Sequence, residues 1–385
     1  MRKQIEVHYC DFCEQETDQC QVITVPTAGD DGNITINEKD ICNNCLNKLA
    51  TFLSQLSAEP ASTEISVEAE PVSDEIEVEK KLESDRQSIL RNEAIAAFPI
   101  DPDHRIPLLS KPQLDIDVKA CRYPPTKICL GGLAHNKSMA IDLEKPPPYI
   151  LDSLLIFPQT FTSLTNDYFQ WIKDKNIEFY LDSGVFSYLN NPKKDIHLTS
   201  YIERYVNFIN HYKIDKYFEL DLDHIIGLDA VKQIREYLYK HTGIVPIPVW
   251  HKSRGREEWT FMCKHYDSIA IGGIASREIM PGEAVQLITD MCDEAHSYGT
   301  KVHGLGFALL DLLNTYTMPC DSIDTNSWNR GRRSQHSVFE DNQIKIVGGA
   351  LSYESKINIT NDINAWGDFS RFYILNKGGK LHEEN

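Results

Sequence analysis

The sequence predicts an α/β protein: a (β/α)8 TIM barrel preceded by a small cysteine-bearing domain and an acidic linker. Three observations carry that reading. Short apolar strands alternate with amphipathic helices through the C-terminal three-quarters of the chain, and eight such units suit a closed parallel barrel. Three of the strands run straight into aspartate: Glu178-Phe179-Tyr180-Leu181-Asp182, Tyr217-Phe218-Glu219-Leu220-Asp221-Leu222-Asp223, and Cys320-Asp321-Ser322-Ile323-Asp324. Four of the ten cysteines form two Cys-x-x-Cys pairs within the first 50 residues.

Composition sets the outer limits. The 385 residues carry a net charge of −18, and the acidity is uneven. Residues 1–95 hold 8 Lys+Arg against 20 Asp+Glu, whereas residues 96–385 hold 31 against 37. The low overall charge therefore says little about the ligand of the main domain, and a nucleic-acid partner would need a local basic patch. No stretch approaches the twenty apolar residues of a membrane span, and the first residues do not form a signal peptide. The expectation is a soluble cytoplasmic protein with no membrane partner.

Residues 1–50 are expected to form a zinc-ribbon-like domain. Cys10-Asp11-Phe12-Cys13 and Cys42-Asn43-Asn44-Cys45 flank a strand at Gln21–Val25, a Gly-Asp-Asp-Gly turn at 29–32, and a strand around Ile34–Ile36. Four thiolates so spaced suit a tetrahedral structural Zn²⁺, and so short a segment has little core with which to fold unaided. Redox-active pairs are the alternative, and the strand–helix setting of such motifs is missing. Cys20 reads as non-ligating. Residues 51–95, rich in Glu, Ser, Ala and Pro, read as an acidic, largely disordered linker whose end gains helical propensity.

Residues 96–385 supply the barrel. The expected strands are Lys127–Leu133, Ser153–Phe157, Glu178–Asp182, Tyr217–Asp221, Val245–Trp250, Ser268–Gly272, Val302–Gly306 and Asp321–Asp324. Helices between them follow from apolar residues at 3.6-residue spacing: Ile202, Tyr205, Val206 and Ile209; then Val231, Ile234 and Leu238; then Val285, Ile288 and Cys292, between Pro281 and Gly299. An open doubly wound sheet competes, but its glycine-rich phosphate loop is absent.

Under the barrel reading, the strand ends bring polar residues to one rim: Asp182, Ser183 and Gly184; Asp221 and Asp223, sharing a face by period two; His251; Gly272 and Gly273; His303 and Gly304; Asp321 and Asp324. Each has an ordinary explanation taken singly. Asp182 can cap a helix, Asp223 can bond its own loop, His251 can be a satisfied core histidine, and the glycines can serve turns. So many carboxylates, imidazoles and glycines at one rim point instead to an active site, because a buried carboxylate is costly unless paired or used.

These same residues resemble the tRNA-guanine transglycosylase superfamily, most closely its DNA-guanine transglycosylase-like branch of phages and genomic islands. The resemblance rests on Asp182-Ser183-Gly184-Val185-Phe186, Glu219-Leu220-Asp221, Ile271-Gly272-Gly273-Ile274, His303-Gly304-Leu305-Gly306 and Cys320-Asp321-Ser322-Ile323-Asp324-Thr325, and covers residues 127 to 333. It implies replacement of guanine in DNA or tRNA, with DNA slightly favoured, by a 7-deazaguanine base through a covalent aspartyl-sugar intermediate. By that resemblance Asp324 is the expected nucleophile with Asp321 in reserve, and Asp182 is the proton donor and acceptor. Asp221 or Asp223 reads the base, and the Gly272 and Gly273 amides lie against its carbonyl. The family's C-terminal zinc site is missing, since no cysteine follows Cys320. Trp328 is expected to stack on a base, and Arg330, Arg332 and Arg333 are expected to meet phosphate, with surface salt bridges as the alternative. Two other functions stay open: a non-catalytic relative that binds nucleic acid or acts as a homodimer or partner subunit, and an unrelated metal-dependent barrel hydrolase using Asp182, Asp221 and His251.

Overall fold

The structure is a computed structural model. It describes four N-terminal strands within residues 8–42, then residues 72–114, 125–157, 161–185, 197–273, 278–279, 281–306, 313–314, 318–328, 335–348 and 356–376. The chain divides into two compact units, Met1–Glu75 and Ile76–Asn385.

In the first unit, β1 (His8–Tyr9) pairs antiparallel with β2 (Glu16–Thr17), and β3 (Cys20–Ala28) with β4 (Ile34–Cys42). Cys42 closes β4, which neighbours β1. Cys10, Cys13 and Cys45 lie outside the described residues, and Cys20 stands in register with Cys42. The expected linker boundary at 95/96 falls inside helix α1 (Val72–Ala97), whose Ala94, with Phe98 just beyond it, is buried in the core of the second unit.

The second unit is a mixed α/β structure around a curled, parallel seven-stranded sheet. Its strands are β5 (Lys127–Gly131), β6 (Tyr149–Ser153), β7 (Glu178–Asp182), β8 (Val249–Trp250), β9 (Ser268–Ile271), β10 (Lys301–Gly304) and β11 (Ser322–Thr325), in the order β7-β6-β5-β11-β10-β9-β8. The two sheet edges meet the same short segment. Tyr217 bridges Leu181 of β7, and Phe218 bridges Ile247 just before β8, both in parallel. Helices α2 (Ser163–Asp174), α3 (Leu198–Tyr212), α4 (Leu228–Thr242), α5 (Gly255–His265), α6 (Pro281–Ser297) and α7 (Lys356–Asn376) cover the sheet. Between β11 and α7 the hairpin β12 (Gln335–Glu340) and β13 (Gln343–Gly348) intervenes.

Alternation along the strands divides the apolar residues into two cores, as a pleat requires. Cys129, Leu151, Tyr180, Phe218, Ile247, Val249 and Ala270 form one small cluster on the concave side. Their neighbours Ile128, Leu130, Ile150, Phe179, Leu181, Ile269, Ile271, Val302 and Ile323 join the large core beneath the helices. The periodic helix residues read from sequence are buried there, including Ile202, Tyr205, Val206, Ile209, Val231, Ile234, Leu238, Ile288 and Cys292; Val285 is only half-buried.

The second strand is displaced from its expected place. It runs Tyr149–Ser153, and residues 154–156 form a 3-10 turn started by Ser153, whose Oγ accepts the Leu155 N–H. The Pro146-Pro147-Pro148 run disguised it, since prolines argue against a strand interior but are permitted just before one. No described helix is long and apolar enough to cross a membrane.

Candidate active site

The C-terminal ends of the strands surround a cavity of about 570 Å³. Gly131 and Gly132 after β5, Ser153 at the end of β6, Asp182 and Gly184 at β7, and Asp221 line it. His251 follows β8, Gly272 and Gly273 follow β9, Leu305 and Gly306 follow β10, and Asp324 lies on β11. A second cavity, of about 640 Å³, lies at the opposite strand ends; there Glu178 is held by Lys127 and Lys216, each at 2.6 Å. The first gathers the carboxylates, and it sits where parallel α/β folds place their chemistry.

Asp182 ends β7 with its side chain on the same face as Tyr180. Burial, then the nearby charges of Asp221 and Asp324, push its carboxyl up to about 7, against hydrogen bonds from the Gly184 and Ser183 amides. It is a carboxyl able to give and take a proton near neutrality. Gly184 makes this turn possible: its φ is +68°, and a Cβ there would lie 2.0 Å from Ser153 Oγ.

Asp324 is 6 % exposed. Its Oδ1 accepts the Gly306 N–H at 2.6 Å and faces His303 Nε2 at 3.4 Å, while His303 Nδ1 meets Ser322 Oγ at 2.7 Å. The carboxylate is thus held through Oδ1 by a backbone amide and a buried imidazole at the wall of the cavity.

Asp221 enters by a break in the pleat. Phe218 points to the concave cluster, so strict alternation would turn residue 221 away. Leu222 N–H donates to Leu220 C=O at 2.9 Å, and this tight turn brings Asp221 to the cavity, where Oδ2 meets His251 Nε2 at 3.2 Å. His251 Nδ1 faces Glu278 Oε2, also at 3.2 Å. Burial opposes charge on this ring, but the hydrogen bond and charge of Asp221, with Asp223, outweigh it and hold His251 above its ordinary pKa.

Several expected site residues are placed elsewhere. Asp321 sits just before β11, at the end of the strand away from Asp324, where Oδ2 accepts the Val302 N–H at 2.8 Å and meets His296 at 2.9 Å. It lines the opposite cavity, because three residues of strand separate it from Asp324. Asp223 does not share a face with Asp221: it starts a helical turn (223–226) and pairs with Arg254 Nη2 at 2.6 Å. Trp328 is fully buried and donates its indole N–H to Gly131 C=O at 2.7 Å, so it supports the β5 turn and has no face to offer a base. Ser183 is buried in a local turn, with Oγ accepting the Val185 N–H. Gly304 stays in β10, with Leu305 and Gly306 taking the cavity wall, and His303 lies behind Asp324. Arg330, Arg332, Arg333 and Phe186 lie outside the described residues.

Sequence reasoning missed Glu278, Asn326 and Glu219. Glu278 is seven residues beyond the end of β9 and carried no motif. Asn326 lies over Gly131, where a Cβ would meet its Oδ1 at 2.3 Å, and only the pairing of β5 with β11 brings them together. Glu219 is buried with Arg235 and Arg254 at 2.6 and 2.7 Å and accepts the Val249 N–H at 2.7 Å. Burial pushes its carboxyl up, but the two guanidiniums outweigh that and hold it below the ordinary range. No family model matches the sequence, and no curated protein matches it.

Proposed function

We propose that the second unit is a (β/α)8 barrel, with residues 217–219 as its eighth strand, and that it exchanges guanine in nucleic acid for a 7-deazaguanine. The parallel bridges of Tyr217 and Phe218 and the separate concave core support the closed barrel. The observation that carries the chemistry is the meeting of Asp324 with Asp182, whose carboxyl titrates at about 7, in one cavity.

In this reading an Asp324 oxygen attacks the sugar C1′, the C1′–N9 bond breaks, and neutral Asp182 gives its proton to the departing guanine. The incoming 7-deazaguanine then returns a proton from N9 to Asp182 and displaces the Asp324 ester at C1′. Proton and nucleophile are both restored. Two substitutions through one sugar ester replace a single hard one. The free Oδ1 of Asp221 accepts N–H donors of the base edge, and a base lacking them leaves that carboxylate unpaired. DNA is slightly preferred to tRNA as substrate. In the first unit, Cys10, Cys13, Cys42 and Cys45 would hold a structural Zn²⁺, which supplies folding stability and no step of the exchange.

The test is nucleoside mass spectrometry of DNA and RNA incubated with a 7-deazaguanine and the protein, beside a search for a denaturation-resistant adduct. The wild type is expected to exchange base and form the adduct, and Asp324→Asn to lose both by about a thousandfold or more. Unchanged activity in Asp324→Asn would overturn the nucleophile, and no exchange or adduct with any nucleic acid would favour a non-catalytic binding role.

A further inference from the structure

His251 has a carboxylate oxygen opposite each ring nitrogen: Asp221 Oδ2 at Nε2 and Glu278 Oε2 at Nδ1, both at 3.2 Å. A neutral imidazole carries one N–H and one lone pair, and a lone pair facing a carboxylate repels it. Both contacts are favourable only when both nitrogens carry protons. The ring has little room to turn away. A Cβ at Gly272 would sit 2.6–3.1 Å from three of its atoms, so the bare glycine backbone makes the slot in which it lies flat. Glu278 is fixed in turn, because its Oε1 accepts the Ser253 N–H at 2.8 Å.

We propose that His251 is a standing imidazolium that positions Asp221, occupying Oδ2 and leaving Oδ1 alone to read the substrate. Asp221, Glu278 and Asp223 face it with negative charge and Arg254 with positive charge, while Arg254 is itself committed to Glu219 and Asp223. Negative groups therefore dominate around the ring. With its second oxygen taken, Asp221 serves as a single-point acceptor held at a fixed angle, which favours a heterocycle presenting an N–H donor at that spot. Loss of the His251 proton frees Asp221 to rotate, so recognition of the base weakens on the alkaline side. Glu278 acts one step further out, by keeping the proton on the ring. The clamp concerns the resting protein; its use in base selection rests on the exchange reaction proposed above.

The two are tested separately. Nitrogen-15 NMR of histidine side chains in the full-length protein, assigned by the loss of signal in His251→Gln, reads the ring directly. Both ring nitrogens are expected to be protonated at pH 7.5, and Glu278→Gln is expected to lower the His251 midpoint by about one pH unit or more, as removal of one adjacent charge does. A ring that is neutral at pH 7, or a midpoint unmoved by Glu278→Gln, overturns the clamp whatever the activity. With base exchange as the readout, Glu278→Gln is expected to raise the KM for the base about tenfold at pH 8 and little at pH 6. A clamp seen by NMR with a KM that ignores Glu278 overturns the positioning role, whereas absence of any exchange overturns the reaction and leaves the clamp intact.

Discussion

Replacing Asp182 by Asn should stabilise the protein, increasingly so as the pH rises. The wild-type carboxyl moves from an ordinary 3.8 to about 7 in the fold, first through burial and then through the charges of Asp221 and Asp324. Its folded pKa exceeds its unfolded one, so the native state binds more protons between those values and stability falls with rising pH. Relative to the unfolded chain, the shifted carboxyl thus costs the fold about 4 kcal/mol above neutrality, about 2 kcal/mol at pH 5, and almost nothing below pH 3. Asn keeps the shape of the neutral acid and an oxygen for the Ser183 and Gly184 amides, and it never ionises. The stability difference between Asp182→Asn and wild type should therefore widen by about 2–3 kcal/mol from pH 5 to pH 8, a large share of a typical folding free energy. Urea titrations at matched ionic strength across that range measure it, in parallel with the loss of any base exchange. A gap that stays constant with pH, or an Asn variant less stable at pH 8, would refute the reasoning.

Three other outcomes follow from particular contacts. Glu219→Gln strands Arg235 and Arg254 beside a neutral partner in the core, and urea unfolding should show a loss of about 3–5 kcal/mol; under 1 kcal/mol would mean the guanidiniums are solvated. Gly184→Ala meets both a φ of +68° and Ser153 Oγ, and should cost at least about 2 kcal/mol, whereas Gly243→Ala, with φ +71° in open space, should cost about 1 kcal/mol. Equal losses at the two positions would remove the steric argument. Elemental analysis should find one zinc per chain in the wild type and none after Cys10→Ser or Cys42→Ser, and zinc persisting in both variants would locate it elsewhere.

Much of the parallel sheet was legible because its strands are short, apolar and bounded by turns, and its helices carry clean 3.6-residue stripes. The failure at β6 was local: a proline triplet hid a strand that begins one residue after it. Asp182 was readable because β7 is regular to its last residue. Asp221 was readable only as a residue type at a strand end, since the turn between Leu220 and Leu222 that swings it inward has no composition of its own, and the same turn is why period two misplaced Asp223. Trp328 shows the opposite limit. An aromatic next to arginines looks like a stacking surface until the pairing of β11 with β5 carries it under the Gly131 carbonyl.

Asp321 and Asp324 look interchangeable in the sequence, and the strand between them decides their surroundings. One rise of three residues spans roughly 10 Å of parallel strand. That is enough to put Asp321 at the end where chains enter the sheet and Asp324 at the end where they leave it. Neighbours follow from position: Asp321 meets, through Oδ2, the Val302 amide near the start of β10 and His296 on a helix. Asp324 meets, through Oδ1, the Gly306 amide just beyond the end of the same β10 and His303, and lines a cavity with Asp182. Both carboxylates are thus held through a single oxygen, so the difference between them lies in what shares their cavity: Lys127, Glu178 and Lys216 around Asp321, and Asp182 and Asp221 around Asp324. The strand, by its direction and length alone, therefore decides which aspartate shares a cavity with Asp182 and Asp221.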